Sequence, residues 1–388
     1  MDFPLTLPKL IPLGQSWEKL GLFMPRGLLD WAEMNALPQE ISHTTVLEHL
    51  DFWRKRRIAL VKQTAYHALY TETGKKDWTQ IVLSSECHLG PFSFLAEMNA
   101  DYFVVRQARE EETFAWKKKF AYDPDPLVLS NKLLEDIREK EASPWGRELP
   151  EVDDIPWQDY DLVISFDISV PERIVRRCPR TIWAYYSMET SGPFQKASLL
   201  APQAGYDIFF NHGFRRYCGR PRNRAHMLEF PLQFQSSAAW HQLKSAVGPP
   251  PTRSTILVER NSWKDPLPPS AIPLGRLSGD ATEYLRKMFS AWACLHTTDW
   301  PRWGNWAVES AFAGSLFLGN AASLAHISPL LPGLDCRTLA KAVALANWLV
   351  EKPSLWKSFQ ELQARLIEQV AFRRPLADLT QRGKDFFQ

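Results

Sequence analysis

Between Leu295 and Gly319 the chain reads Leu-His-Thr-Thr-Asp-Trp-Pro-Arg-Trp-Gly-Asn-Trp-Ala-Val-Glu-Ser-Ala-Phe-Ala-Gly-Ser-Leu-Phe-Leu-Gly, its most informative stretch. An apolar strand end is followed by a turn with one glycine, Gly304, and then by a small-residue helix over Ala307–Ala313. Gly314 then opens an apolar strand from Ser315 to Leu318. Strand, glycine turn, helix and strand in that order make a βαβ half-unit whose helix N-terminus faces an open loop. Backbone N–H groups are unpaired there and the helix dipole is positive, so Arg302, Trp303, Gly304 and Asn305 form a loop suited to a phosphate group. Glu309 falls on the first turns of the same helix, where a carboxylate can accept hydrogen bonds from the neighbouring hydroxyls of a ribose. Phosphate on the loop and sugar on the glutamate describe a nucleotide-diphosphate site.

A glycine, a glutamate five residues on, and small residues closing on a second glycine ahead of an apolar strand resemble the donor-site motif of GT-B fold glycosyltransferases, closest to their group one. The resemblance is carried by Gly304, Glu309, Ala311, Ala313 and Gly314. It departs at Pro301, where retaining members usually carry a further glutamate at the sugar. Asp299, two residues earlier, is the nearest carboxylate. The resemblance implies a glycosyltransferase that moves a sugar from a nucleotide-sugar donor to an acceptor hydroxyl in glycan or glycoconjugate biosynthesis, the acceptor being a glycan, a lipid-linked group or a small molecule. The alternative is a non-catalytic nucleotide-sugar-binding protein with a degenerate site.

The same resemblance places an arginine and a lysine at the end of the first donor-domain strand, and Arg260 and Lys264 follow Thr255–Val258 here. A departing nucleoside diphosphate builds negative charge, which a site without a metal must meet with cations and N–H dipoles. Arg276, after Leu274-Gly275, competes for that role. If the enzyme inverts, the acceptor hydroxyl needs a base. Glu189, Asp167, His212 and His88, in that order, stand in loops after first-domain strands.

Other chemistries find little support. No Asp-x-Asp stands at a strand end, Asp123-Pro-Asp125 being proline-interrupted, so neither a metal nor a cofactor beyond the co-substrate is expected. Histidines and cysteines lack ligand spacing, and neither a G-x-S-x-G elbow nor a phosphate-binding G-x-x-x-x-G-K-[ST] loop occurs. A net charge of +2 argues against nucleic acid as a partner. Only Arg215–Arg224 is locally basic, a run that could contact a membrane surface or an anionic acceptor. Five irregularly spaced cysteines suit a reducing compartment, and no run approaches the roughly 18 apolar residues that span a bilayer. The expected location is cytoplasmic, with peripheral contact at the inner membrane face if the basic run engages lipid.

The elements that must position these residues alternate. Short apolar strands are expected at Arg57–Val61, Gln80–Ser85, Tyr102–Val105, Asp161–Phe166, Thr181–Tyr186, Tyr206–Phe210 and Met227–Phe230, with helices such as Thr45–Trp53, Lys132–Lys140 and Pro171–Arg177 among them. After the prolines at 249–251 a second set begins, with strands at Thr255–Val258, Ile272–Gly275 and Ala293–Thr297 and a helix at Thr282–Phe289. Such alternation predicts parallel sheets covered on both faces. The fold expected is α/β, two Rossmann-like domains facing a cleft. Residues 1–50 form an N-terminal extension, 51–248 the acceptor domain and 252–352 the donor-binding domain. Residues 353–388 hold an apolar helical stripe over Ser354–Phe372, and the resemblance implies that they cross back to the first domain. The dispersed tryptophans, Trp53 and Trp157 among them, suit core packing, whereas Trp300, Trp303 and Trp306 crowd the donor loop.

Overall fold

The computed structural model describes residues 40–63, 92–105, 152–166, 170–186, 205–211, 227–229, 232–248, 252–259, 271–274, 281–296, 305–319, 336 and 338–388. The chain divides into two α/β units. One comprises Leu47–Phe230 with Leu376–Gln388, the other Met1–Val46 with Pro231–Pro375.

In the first unit, helix α1 (His43–Arg54) leads into strand β1 (Ile58–Gln63), and helix α2 (Phe92–Met98) into β2 (Asp101–Val105). Strand β3 (Leu162–Phe166), helix α3 (Glu172–Arg177) and strands β4 (Ile182–Tyr186), β5 (Ile208–Asn211) and β6 (Met227–Glu229) follow. The six strands are all parallel, in the order β2-β1-β3-β4-β5-β6. Strands β3 and β4 are buried at every residue, as continuous apolar runs in a doubly covered sheet should be.

Aromatic side chains fill both faces. Trp157, Tyr160, Trp183, Tyr185, Tyr206 and Phe209 belong to one buried cluster. Their chain neighbours Tyr186 and Phe210 point the opposite way, onto Phe94 of α2 at ring distances of 5.9 and 6.2 Å. Carboxylates finish the amino edge: Asp161 accepts the Arg57 N–H and Asp207 the Trp183 N–H, each at 2.8 Å. The last helix, α9 (Arg374–Phe387), buries Leu376 and Leu379 completely, and its Thr380 hydroxyl accepts from Trp53 Nε1 at 3.0 Å. Gly383 lets this helix approach Trp53, because a Cβ there would lie 2.7 Å from the indole.

The second unit holds helix α4 (Ser237–Val247), capped by the Ser236 hydroxyl, and strands β7 (Thr255–Glu259) and β8 (Ala271–Leu274). Helix α5 (Ala281–Ser290), strand β9 (Ala291–His296), helix α6 (Asn305–Ala313) and strand β10 (Leu316–Gly319) come next, then helices α7 (Leu339–Val350) and α8 (Pro353–Glu368). A single π-helical turn, Gln369–Arg373, links α8 to α9. The four strands are parallel, in the order β10-β9-β7-β8. The buried Gln363 of α8 accepts the Phe317 N–H and donates to the Phe317 carbonyl, at 2.8 and 3.0 Å, giving edge strand β10 the pairing that a further strand would supply.

The expected strand at Gln80–Ser85 and helix at Lys132–Lys140 lie outside the described residues. Trp53 and Trp157 are buried in the core of the first unit. Among the described residues no helix is long and apolar enough to cross a membrane.

Candidate functional site

Open parallel sheets bind ligands beyond the carboxyl ends of their strands, where neighbouring strands send their connections to opposite sides. The second sheet has that point between β7 and β9, since β7 continues to β8 on one flank and β9 to β10 on the other. Val258 pairs with Leu295, so these strands end side by side at Glu259 and His296. The segment carrying Arg260 and Lys264 and the segment carrying Arg302, Trp303 and Gly304 therefore leave from adjacent strand ends. Those five residues, and Arg276, themselves lie outside the described residues.

Helix α6 begins at Asn305, which is half-buried. A helix joining two adjacent parallel strands runs back along the sheet, so the α6 N-terminus lies at the carboxyl edge, with its free N–H groups and positive dipole end toward the switch point. Small residues seat it there: Ala307, Val308, Ala311 and Ala313 are buried. Ser310 is fully buried and its hydroxyl bonds the Trp306 carbonyl at 2.5 Å. The turn that ends α6 is fixed from below by Arg253, which donates to the carbonyls of Ala291 and Ala313 at 2.6 and 3.5 Å and lies over the Trp356 ring. Gly314 has φ 82°, and a Cβ there would lie 2.6 Å from the Arg253 guanidinium, so this position needs glycine for conformation and for space.

Glu309 stands on the second turn of α6, partly exposed. Tyr284, on the first turn of α5 and 6% exposed, donates its phenolic hydrogen to Glu309 Oε2. Burial raises the Glu309 carboxyl pKa to about 7, against a smaller opposing effect of the Tyr284 hydrogen bond. The group is thus poised to change charge near neutrality, on a helix that starts at the edge where ligands bind. Tyr284 carried no sequence signal, because its partner is 25 residues away and only the β8-α5-β9-α6 order joins them.

In the first unit Phe166 pairs with Tyr186 and Tyr186 with Phe210, so β3, β4 and β5 end level at the carboxyl edge. Asp167, Glu189 and His212 follow these three ends in the chain, and they lie outside the described residues with His88 and Arg215–Arg224. At Val170, where the described chain resumes, the buried Tyr206 hydroxyl accepts the backbone N–H at 2.8 Å. Burial drives the Tyr206 phenol pKa well above its usual range, so it stays neutral and keeps this tie at any ordinary pH.

No family model matches the chain, and no curated protein matches it. Among solved structures it is similar to sucrose-phosphate synthase from Thermosynechococcus elongatus at 12% identity and TM-score 0.41, covering 86% of this chain and 99% of that one. The N-terminal domain of Candida albicans trehalose-6-phosphate phosphatase gives 10% identity and 0.38, over 85% and 96% of the two chains. A glycosyltransferase of kitacinnamycin gives 11% and 0.33, over 84% and 98%. At these scores and identities the likeness fixes no shared chemistry.

Proposed function

We propose that the chain transfers a glycosyl group from a nucleoside-diphosphate sugar to an acceptor hydroxyl. The observation that supports this best is Glu309, a partly exposed carboxylate on the second turn of a helix whose N-terminus lies at the switch point of a parallel sheet. In this reading Glu309 accepts from the ribose, while Arg302, Trp303, Gly304 and Asn305 hold the diphosphate at the helix N-terminus. As the bond between the anomeric carbon and the phosphate oxygen breaks, Arg260 and Lys264 meet the charge that collects on the leaving diphosphate. The acceptor oxygen bonds to the anomeric carbon, and its proton passes to Glu189, Asp167 or His212. The acceptor is a glycan, a lipid-linked group or a small molecule, met in the cytoplasm or at the inner membrane face through Arg215–Arg224.

The cations and the helix dipole supply the charge stabilisation that a metal gives elsewhere, so donor use is proposed to need no divalent ion. Release of nucleoside diphosphate from a panel of nucleotide-sugars is the direct test. Turnover should persist in excess chelator, and alanine at Arg260 or Lys264 should cost far more affinity for the diphosphate than for the bare nucleoside. Loss of turnover with chelator and its return with magnesium or manganese would overturn the metal-free mechanism. The second reading, a binding protein without transfer chemistry, is favoured by Pro301 at the place of the family's further glutamate. Donor binding with no release of diphosphate, whatever the acceptor, would establish it.

A further inference from the structure

We infer that Tyr284 sets which ribose hydroxyl the site reads: by holding one oxygen of Glu309 it leaves a single strong acceptor for the sugar. This rests on the reading of Glu309 as the ribose acceptor. A carboxylate with two equivalent oxygens can accept from both vicinal hydroxyls of a ribose and penalises the loss of either. Here the two oxygens differ. Oε2 receives the phenolic hydrogen of Tyr284, whose ring is 6% exposed and so fixed in place. Much of the negative charge on that oxygen is already answered, which makes it the weaker acceptor for a second donor.

The bond also orients the carboxylate. Glu309 lies on α6 and Tyr284 on α5, two helices that both start at the carboxyl edge of the sheet, so the tie fixes the glutamate side chain against its neighbour helix. Oε1 is then the oxygen offered to a ligand. Tyr284 is in this sense a positioning residue that also sets specificity. The substrate class follows: nucleoside diphosphates and their sugars in which one ribose hydroxyl is required and the other is dispensable. If the 3′-hydroxyl is the one held, 2′-deoxyribose donors bind as well as ribose donors.

The experiment is calorimetric titration of the full chain with UDP, GDP, ADP and CDP, then with the 2′-deoxy and 3′-deoxy forms of the best binder. Wild-type protein should lose about tenfold or more in affinity with one deoxy form and less than about threefold with the other, the difference of one hydrogen bond to a charged group. Tyr284→Phe keeps the ring and frees Oε2. It should bind the parent diphosphate about tenfold more tightly through the added bond, and the previously silent deoxy form, unable to make that bond, should now trail the parent by about tenfold. Such a change of selectivity is one that a merely structural role for the tyrosine would not produce. Equal losses with both deoxy forms in wild type, or unchanged selectivity in Tyr284→Phe, overturn the inference and leave Glu309 as a symmetrical acceptor. If Glu309→Gln and Glu309→Ala both leave the parent affinity unchanged, or if no nucleoside diphosphate binds at millimolar concentration, the ribose reading itself fails and takes the inference with it.

Discussion

At the scale of single residues, Glu309 carries a pH signature. The folded carboxyl keeps its proton up to about pH 7, whereas an ordinary one releases it near 4.5. Between those values the folded state binds more protons than the unfolded state, so this group makes stability fall as pH rises from about 4.5 to about 7, with no further loss above. Glu309→Gln is neutral throughout and should remove that slope. The difference in unfolding free energy between pH 5 and pH 8, read from urea melts, should shrink by on the order of 2 kcal/mol in the variant. Ligand binding should run the other way. The charged carboxylate is the better acceptor, so affinity for an intact nucleotide-sugar should rise through pH 7, and Glu309→Gln should flatten the rise. A nucleotide-sugar is the right probe, because a free diphosphate has a phosphate group of its own that titrates near pH 6. A profile unchanged by Glu309→Gln would place the titrating group elsewhere. Glu309 was legible in the sequence because its spacing from Gly304 and Gly314 is local. The hydrogen bond from Tyr284 and the Arg253 clamp were not, since each joins segments that only the sheet brings together.

Among the elements, the strands were the most legible, because apolar runs buried on both faces contrast sharply with the turns between them. Their ends shifted by a residue where a side chain took over from the ladder. Asp161 and Thr181, expected as first strand residues, instead serve as anchors: Asp161 accepts the Arg57 N–H, and Thr181 donates to the Tyr160 carbonyl at 2.8 Å. Helix α7 went unread because it is apolar nearly all round, with Lys341 its one charged residue, and so lacks the polar face that marks an amphipathic period. The tail stripe expected as one helix over Ser354–Phe372 is helix α8 and a π turn, whose extra residue per turn breaks the 3.6-residue period before α9 begins. Gly314, which leads into strand β10, meets a second constraint in the Arg253 side chain. Gly314→Ala should therefore cost about 2–3 kcal/mol, more than the roughly 1 kcal/mol of a left-handed backbone alone. Its companion Arg253→Met, which opens space beside residue 314, should recover part of that loss. Thermal denaturation of the two single variants and the double variant measures this coupling, and strict additivity would show that the guanidinium does not press on residue 314.

For the whole molecule, the alternation of strands and helices predicted parallel sheets, and both units have them. Strand order was not legible, since parallel pairing sets β1 between β2 and β3 and β7 between β8 and β9 through long connections that no local pattern encodes. Leu376–Gln388 belongs to the unit of Leu47–Phe230, although more than a hundred residues of the other unit intervene in the chain. Leu376 and Leu379 are 0% exposed, Thr380 accepts from Trp53 Nε1 and Gly383 meets the same indole. Burying two leucines contributes about 3–6 kcal/mol, and an orphaned buried indole N–H costs about 1–3 kcal/mol more. That sum approaches the roughly 5–15 kcal/mol that holds a whole domain together. A chain ending at Pro375 should therefore lose protection from hydrogen exchange in β1, β3 and β4 while β7, β9 and β10 keep theirs. Loss in both sheets together would mean that the tail supports the molecule through the second unit. Unchanged protection in β1, β3 and β4 would mean that the tail's contacts with Trp53 contribute nothing to holding the first sheet.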